Sequence, residues 1–505
     1  MIKIFRISLM VSLVLFCSCS KDYLDTKPTN ASDTPSIFES IENVKGAING
    51  LSKLMTIQYL ESQGFNGEGT IKMYYGNYPG NHFSMNLPGW SVIINGEYRE
   101  MISSIYLYYP WFYYYKIIGN ANTVITHIDN VDCLQEEKDF AKAQALTFRA
   151  YAYFMLSQLY CARWMDSNNG ASSGLVLRLD ESSGEMPLST LGDVYSRIYT
   201  DLDDAIALYT SSGGSRLENF EADINVAYAI YARAALTRRD YSTALDMAVD
   251  ARDGYPLMSS SDYTDGFYSP TIEWIWSSFG GSDEQLHYYS FLAFMAYNSN
   301  ASIVRIYPRC ISKELFDKIP ATDIRKSLFL NPQGYSYNQS TGLAGSALKA
   351  KAFELFRDIY PTSNVYAYMQ FKFEAEDLPG VGYIPHFRSS EMYLTEAEAC
   401  YFLNDIPGAQ QALNTLNAAR DPGYTCTSTG PALLEEIKMY RALELWGEGF
   451  DWFDLKRWGD SISRKSFSNG GNFISVLAIT RGPEHGNNWI WKIPQKETDY
   501  NPLVE

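Results

Sequence analysis

No HExxH, no Walker-type phosphate loop, no GxGxxG and no CxxC occurs in this 505-residue chain. Zinc sites and phosphate cradles need such spacings, so neither a metal nor a cofactor is expected. Histidine is scarce, with His82, His127, His287, His386 and His485 standing far apart. One catalytic pattern matches by letters alone. Gly170-Ala-Ser-Ser-Gly174 spells the GxSxG nucleophile elbow, but it follows Asn168-Asn169 in a polar linker, where a strand should precede it. It is read as a loop. A glycosidase needs two carboxylates at a set separation, and among 58 acids some pair always exists, so that class is neither supported nor excluded. No catalytic residue is assigned.

Positive charge is also in short supply. Lys and Arg total 41 against 58 Asp and Glu, a net charge of −17, and no basic run occurs. Phosphate neutralisation needs the opposite sign, so nucleic acid is not an expected partner. Apolar runs are short. Ile7 to Phe16, behind Lys3 and Arg6, cannot span a bilayer and fits a secretory leader. Ile105 to Ile118 contains Pro110, Lys116 and many tyrosines, and reads as the start of a buried aromatic helix.

The leader ends Phe16-Cys17-Ser18-Cys19, which resembles a bacterial lipobox, with Cys19 behind a small residue. Bulky Phe16 makes Cys17 the weaker candidate, and an ordinary cleaved leader is the alternative. More than one acyl chain on Cys19 would anchor the protein stably. Residues 1–18 are thus a leader, 19–36 a polar tether and 37–505 a single domain. The five remaining cysteines, Cys133, Cys161, Cys310, Cys400 and Cys426, are odd in number and scattered, so buried free thiols are expected.

What the chain has in plenty is helix pattern and aromatic rings. Asp139 to Trp164 is rich in alanine and apolar around most of its circumference, as suits a helix packed on several sides. Two helix pairs repeat one plan: Asn225–Arg239 with Asp240–Arg252, and Ser389–Leu403 with Asp405–Arg420. Alanines mark the crossings, and Asp240 is placed to cap the second helix. Leu191–Tyr209 and Leu433–Trp446 add helices. The fold class is mainly α, a tetratricopeptide-like repeat scaffold with long irregular loops and a few short strands.

The loops, about 63–98 and 254–345, combine Gly and Asn with 39 Tyr, 26 Phe and 10 Trp in the whole chain. Flat rings stack on the C–H faces of sugars, and amides hydrogen-bond their hydroxyls. Trp90, Tyr75 and Tyr78 are candidate platforms, Asn81 and Asn95 candidate hydroxyl partners, and Tyr288 and Tyr289 plausible seconds. Trp276, in the strand-like Glu273-Trp-Ile-Trp276, suits a structural role better.

Several segments together resemble the SusD/RagB family of Bacteroidetes outer-membrane lipoproteins. Cys19-Ser-Lys-Asp-Tyr-Leu-Asp25 is similar to the family's start. Ala145-Leu-Thr-Phe-Arg-Ala-Tyr-Ala-Tyr-Phe154 resembles its Leu-Arg-Ala-Tyr helix, and Arg388 to Ala399 (RSSEMYLTEAEA) its Arg-x-x-Glu-x-x-Leu-x-x-Ala-Glu-Ala helix. Trp446-Gly-Glu-Gly-Phe-Asp-Trp-Phe-Asp-Leu-Lys-Arg-Trp-Gly459 is the most specific match, and Lys492 to Pro502 resembles the closing segment. Tyr440 stands where the family usually has Glu, and Asp451 where it has a basic residue; we take the usual two to pair and to have been exchanged together. The resemblance implies a non-enzymatic, lipid-anchored surface protein that captures an oligosaccharide and caps a SusC/RagA-like TonB-dependent transporter. A peptide-binding lid of the same fold is the alternative, and a surface glycosidase is less favoured.

Overall fold

The computed structural model describes residues 37–60, 65–282, 290–485 and 489–504. The leader, Cys19, the tether, Tyr288 and Tyr289 lie outside the described residues.

Helix α1 (Ile41–Leu54) leads into a stack formed by α2 (Ile105–His127), α3 (Gln135–Tyr160), α4 (Leu191–Ser212), α5 (Ile224–Arg238) and α6 (Tyr241–Ala251). The stack continues with α7 (Ser389–Phe402), α8 (Ile406–Ala418) and α9 (Gly430–Glu444), and α10 (Asp451–Trp458) follows. From α2 to α8 each stack helix packs on the next, α6 packing on α7 although a long insertion separates them in sequence, and α9 returns to pack on α7. The repeat is visible in its turns. Arg239 and Asn404 both adopt φ 66° at the end of the first helix of their pair. The next residue then caps the second helix: Asp240 accepts from the Thr243 amide and Asp405 from the Gly408 amide. Ala229, Ala232, Ala244, Ala248, Ala397 and Ala412 are buried at the crossings, as expected.

The strands are few and short. β1 (Phe83–Ser84) pairs with β3 (Cys310–Ile311), β2 (Trp274–Gly280) with β4 (Gly382–Arg388), and β5 (Ile462–Ser463) with β6 (Thr480–Arg481), all antiparallel. No described helix is long and apolar enough to cross a membrane. Ile105–Ile118 forms the first half of α2, with Pro110 buried near its start. Cys161, Cys310, Cys400 and Cys426 are buried free thiols, and Cys133 is a half-buried one.

Most of the aromatic excess is core. Many tyrosine hydroxyls are satisfied inside the protein, largely by backbone carbonyls. Tyr98 donates to Tyr74 O (2.9 Å), Tyr109 to Gly67 O (2.9 Å) and Tyr153 to Arg178 O (2.7 Å). Tyr113, Tyr114 and Tyr151 converge on the buried Glu68 carboxyl, at 2.6 Å for Tyr151. Burial raises the Glu68 carboxyl above its usual range, against the pull of those hydroxyls and of Lys72.

The resembling motifs hold buried ion pairs. Arg149, in the Arg-Ala-Tyr stretch, meets Asp201 of α4 with two bonds (2.8 and 2.7 Å) and Asn122 of α2 (2.8 Å), so it rivets three helices. Glu391 grips Arg233 of α5 through two bonds of 2.6 Å. Asp454 lies between Arg441 and Arg457, each at 2.8 Å, and Arg457 also holds Glu398. Burial alone would raise the Asp454 carboxyl, but the two guanidinium groups hold it below its usual range.

Lys456, in α10, does a different job. Its Nζ donates to the carbonyls of Gln158 (2.6 Å), Leu159 (3.4 Å) and Cys161 (3.0 Å), groups that the end of α3 leaves without helical partners. Replacing it with Met should cost about 1–3 kcal/mol in urea unfolding, the price of unmet buried carbonyls. Burial pushes its amine down to about 7. The unfolded chain therefore holds that proton up to about pH 10 while the folded one releases it near 7. Wild-type stability should accordingly rise between those values, and this rise should shrink in Lys456→Met.

Candidate ligand-binding site

The two loop regions singled out in the sequence meet in the β1–β3 pairing and, at the surface, in a pair of rings. Pro88–Trp90 forms a single 3-10 turn that brings the Trp90 indole over Phe294, stacked at 6.1 Å and 30°. Phe294 belongs to the short helix Phe291–Met295 of the second loop region. Tyr74 meets Trp90 edge-on at 6.1 Å and supports it from the interior. Trp90 is half-buried, and Pro88, Gly89 and Val92 beside it are exposed. The result is a braced indole at the surface among small and apolar neighbours.

The other sequence candidates are placed differently. Tyr75 is fully buried, donates to Tyr106 O (2.6 Å) and packs on Trp491, so it has no face for a ligand. Tyr78 is equally buried and stacks on Tyr74 (5.5 Å). Asn95 is buried, its amide giving a proton to Val476 O (3.4 Å) and taking one from Arg464 (3.0 Å). Asn81 is half-buried, but its amide is spent as a backbone splint, donating to Ser461 O (3.0 Å) and accepting from Ser463 N (2.6 Å). Trp276 is buried in β2, donates to Phe220 O (3.1 Å) and is structural, the reading its strand favoured. The physical reason is common to all. An amide or ring in a tightly packed loop meets the backbone of a neighbouring segment before it meets solvent. Gly170–Gly174 lies in turns with no strand leading directly into it and no helix starting directly after it, so the elbow geometry is missing.

The loop bearing Trp90 is anchored by the Trp446–Gly459 motif. Residues Ile71–Asn77 form a π-helix that crosses the Trp446–Phe450 turn at backbone contact. Asn77 donates to Gly447 O (2.8 Å) and accepts from Gly449 N (2.9 Å), and Lys72 donates to Glu448 O (3.0 Å). Gly447 (φ 79°) and Gly449 (φ 94°) adopt the left-handed backbone this turn needs. Asp451 accepts from the His82 amide (2.6 Å), whereas Tyr440 packs edge-on against Tyr424 (4.9 Å) and under Arg325. These two departures therefore sit in separate surroundings and do not replace one pair.

Two family models match the chain. One, described as "SusD family", matches residues 380–505; the other, "Starch-binding associating with outer membrane", matches residues 22–236. The chain belongs to the SusD family. Solved structures agree in fold. A SusD-like carbohydrate-binding protein from Bacteroides vulgatus is 22% identical, with 92% of this chain and 98% of that one aligned at a TM-score of 0.74. A SusD superfamily protein from Bacteroides thetaiotaomicron is 21% identical over 92% and 99% of the two chains, with a TM-score of 0.73. A SusD-like carbohydrate-binding protein from Bacteroides fragilis is 16% identical over 93% and 100%, at 0.66. No curated protein matches the chain. Among the described residues of this SusD-family chain, no group of His, Cys, Asp and Glu is placed to hold a metal ion.

Proposed function

We propose that this protein is a non-enzymatic glycan-capture lipoprotein of the outer membrane. It is anchored through Cys19, tethered by residues 19–36 to a domain spanning 37–505, and works as the lid of a SusC-like TonB-dependent transporter. The observation that carries the reading is the half-buried Trp90, braced by Phe294 and Tyr74 at the junction of the two loop regions. An indole fixed on its inner side loses little freedom when a sugar ring stacks on it, which favours affinity. The family's starch-binding description and the carbohydrate-binding relatives support the same class of ligand.

The test is a screen of the mature protein on plant, host and microbial glycans and a peptide pool, followed by calorimetry. Trp90→Ala should weaken binding of the captured glycan about tenfold or more, equivalent to about 1.4 kcal/mol, while shifting Tm only modestly. Unaltered affinity would remove Trp90 from the site, and binding of peptides alone would move the protein to the peptide-lid reading. Release of product from a labelled oligosaccharide would make it a glycosidase.

A further inference from the structure

Between α9, the segment after Trp446 and the stretch Asn77–Phe83 lies a cavity of about 240 Å³. It is distinct from the Trp90 surface. A file of rings separates the two: Trp90 on Tyr74, Tyr74 on Tyr78, Tyr78 on Phe83 (5.6 Å) and Phe83 stacked on Trp446 (5.2 Å), the last two forming part of the cavity wall.

The wall carries hydrogen-bonding capacity that the protein leaves unused. Arg441 is buried, and its Nε is held by Asp454, yet its Nη1 meets no acceptor. A buried donor left unmet costs about 1–3 kcal/mol, so such a group beside a cavity calls for an outside acceptor. Arg441 also borders a second cavity of about 30 Å³, room for little more than one water. His82 meets Ser312 Oγ through Nδ1 (3.2 Å), and its Nε2 has no partner among the described residues. Asp451 adds a carboxylate with Oδ2 on the His82 amide. Trp458 is half-buried, its indole N–H fixed on Glu398 (3.0 Å) and its ring overlain by the Arg457 guanidinium (4.6 Å), and forms an apolar edge of the wall.

Among the described residues most charges on the wall are paired, Asp451 and Lys318 excepted. Asp454 faces Arg441 and Arg457, and Asp460 faces Lys438 (2.7 Å), whose ammonium also lies over Trp458 (5.1 Å). An anion entering here would meet Asp451, Asp454 and Asp460, and a cation would meet Arg441 and Lys438. A neutral group whose hydroxyls both donate and accept meets neither penalty. It can accept from Arg441 and donate to Asp451 and His82. The volume falls below the roughly 300–1,000 Å³ of sites for drug-sized ligands, so it suits a single ring.

We infer that this cavity is a second subsite that takes one neutral sugar unit. The assignment of a sugar rests on the glycan reading above. Its test uses neutral monosaccharides (glucose, galactose, mannose, fucose and N-acetylglucosamine) at tens of millimolar with the mature protein, by saturation-transfer NMR and crystal soaking. At least one should bind saturably, with a hydroxyl at hydrogen-bond distance from Arg441 Nη1. Binding should persist in Trp90→Ala and fall at least tenfold in Ala442→Phe, which fills the cavity from a half-exposed wall. Ser461→Phe, at another exposed lining position, serves if Ala442→Phe misfolds. The inference fails if no monosaccharide binds, if only ordered water occupies the cavity, if inorganic phosphate binds in place of the sugars, or if both filling variants bind as well as wild type. Polymeric glycan binding that depends on Trp90, with no monosaccharide in the cavity, would overturn this subsite alone. Failure of both would overturn the glycan reading too.

Discussion

Replacing Glu444 with Gln should lower the unfolding free energy by about 3–5 kcal/mol, the cost of breaking a buried ion pair from one side. Four carboxylates, Asp323, Glu273, Glu444 and Glu448, and four cations, Arg325, Arg388, Arg420 and Lys372, are buried together. Glu444 is their centre, meeting Arg325 (3.0 Å), Arg388 (3.2 Å) and Arg420 (3.3 Å). Arg388 also holds Glu273 and Glu448, and Lys372 holds Glu448 (2.7 Å). The cluster ties the inserted segment, through Glu273, Arg325, Lys372 and Arg388, to the end of the repeat stack at Arg420, Glu444 and Glu448. Glutamine keeps the shape but leaves one positive charge unmatched in a site closed to water. Burial by itself would raise the Glu444 carboxyl; Arg420, Arg388 and Arg325 outweigh it and hold the group well below the usual carboxylate range. A carboxylate depressed in this way stabilises the fold above about pH 4 and loses that contribution as pH falls. Urea unfolding at pH 7 should show the full loss, and the gap to wild type should narrow under acid. Adding Arg420→Met should recover part of the deficit by rebalancing the charge. An unchanged midpoint in the single variant would mean that water reaches the cluster.

The scaffold was legible because its signals are local. The alanine crossings and the Asp caps at 240 and 405 each follow from a few neighbouring residues, and the structure repeats them with the same φ at Arg239 and Asn404. The motif letters were legible as a resemblance but not as physics. Asp454 and Arg457 stand three apart on one helix, a spacing that allows their pair, but nothing in the spacing of Arg388, Glu391 and Glu398 names their partners, which lie on other elements. The ligand site was the least readable. Tyrosine in a Gly/Asn-rich loop has two fates, to face solvent or to give its hydroxyl to a buried carbonyl, and composition cannot separate them. Tyr75 took the second, and Asn81 and Asn95 became splints, while Trp90 alone of the described loop candidates kept a partly open ring. His82, Asp451 and Trp458 could not be grouped from the sequence because the cavity joins segments hundreds of residues apart. The one available hint was that residues 72–90 and the Trp446–Gly459 motif are both rich in aromatic rings.

Gly76→Ala should be among the most damaging single-methyl changes in the chain. A Cβ at Gly76 would lie 2.0 Å from Gly449 O and 2.7 Å from Gly449 Cα. Both are backbone, so no side chain can swing aside. Over-packing usually costs about 1–3 kcal/mol when neighbours yield, and a loss at or above the upper end is expected here. Moving the π-helix outward would also part Asn77 from Gly447 and Gly449, and Lys72 from Glu448 O, which opens the clasp. Glu448 would then shift within the charge cluster, so the effect should couple with Glu444→Gln rather than add to it. The internal control is Gly46, in α1, where a Cβ meets nothing within 4 Å. Alanine there should raise stability by up to about 1 kcal/mol through helix propensity. Opposite shifts in Tm for the same chemical change, a fall for Gly76→Ala and a rise for Gly46→Ala, would show that the π-helix contact is a steric requirement. Since this clasp seats the segment that carries Trp90, glycan affinity should fall with it even under conditions where Gly76→Ala remains folded. Retained affinity would mean that Phe294 and Tyr74 suffice to hold the indole in place.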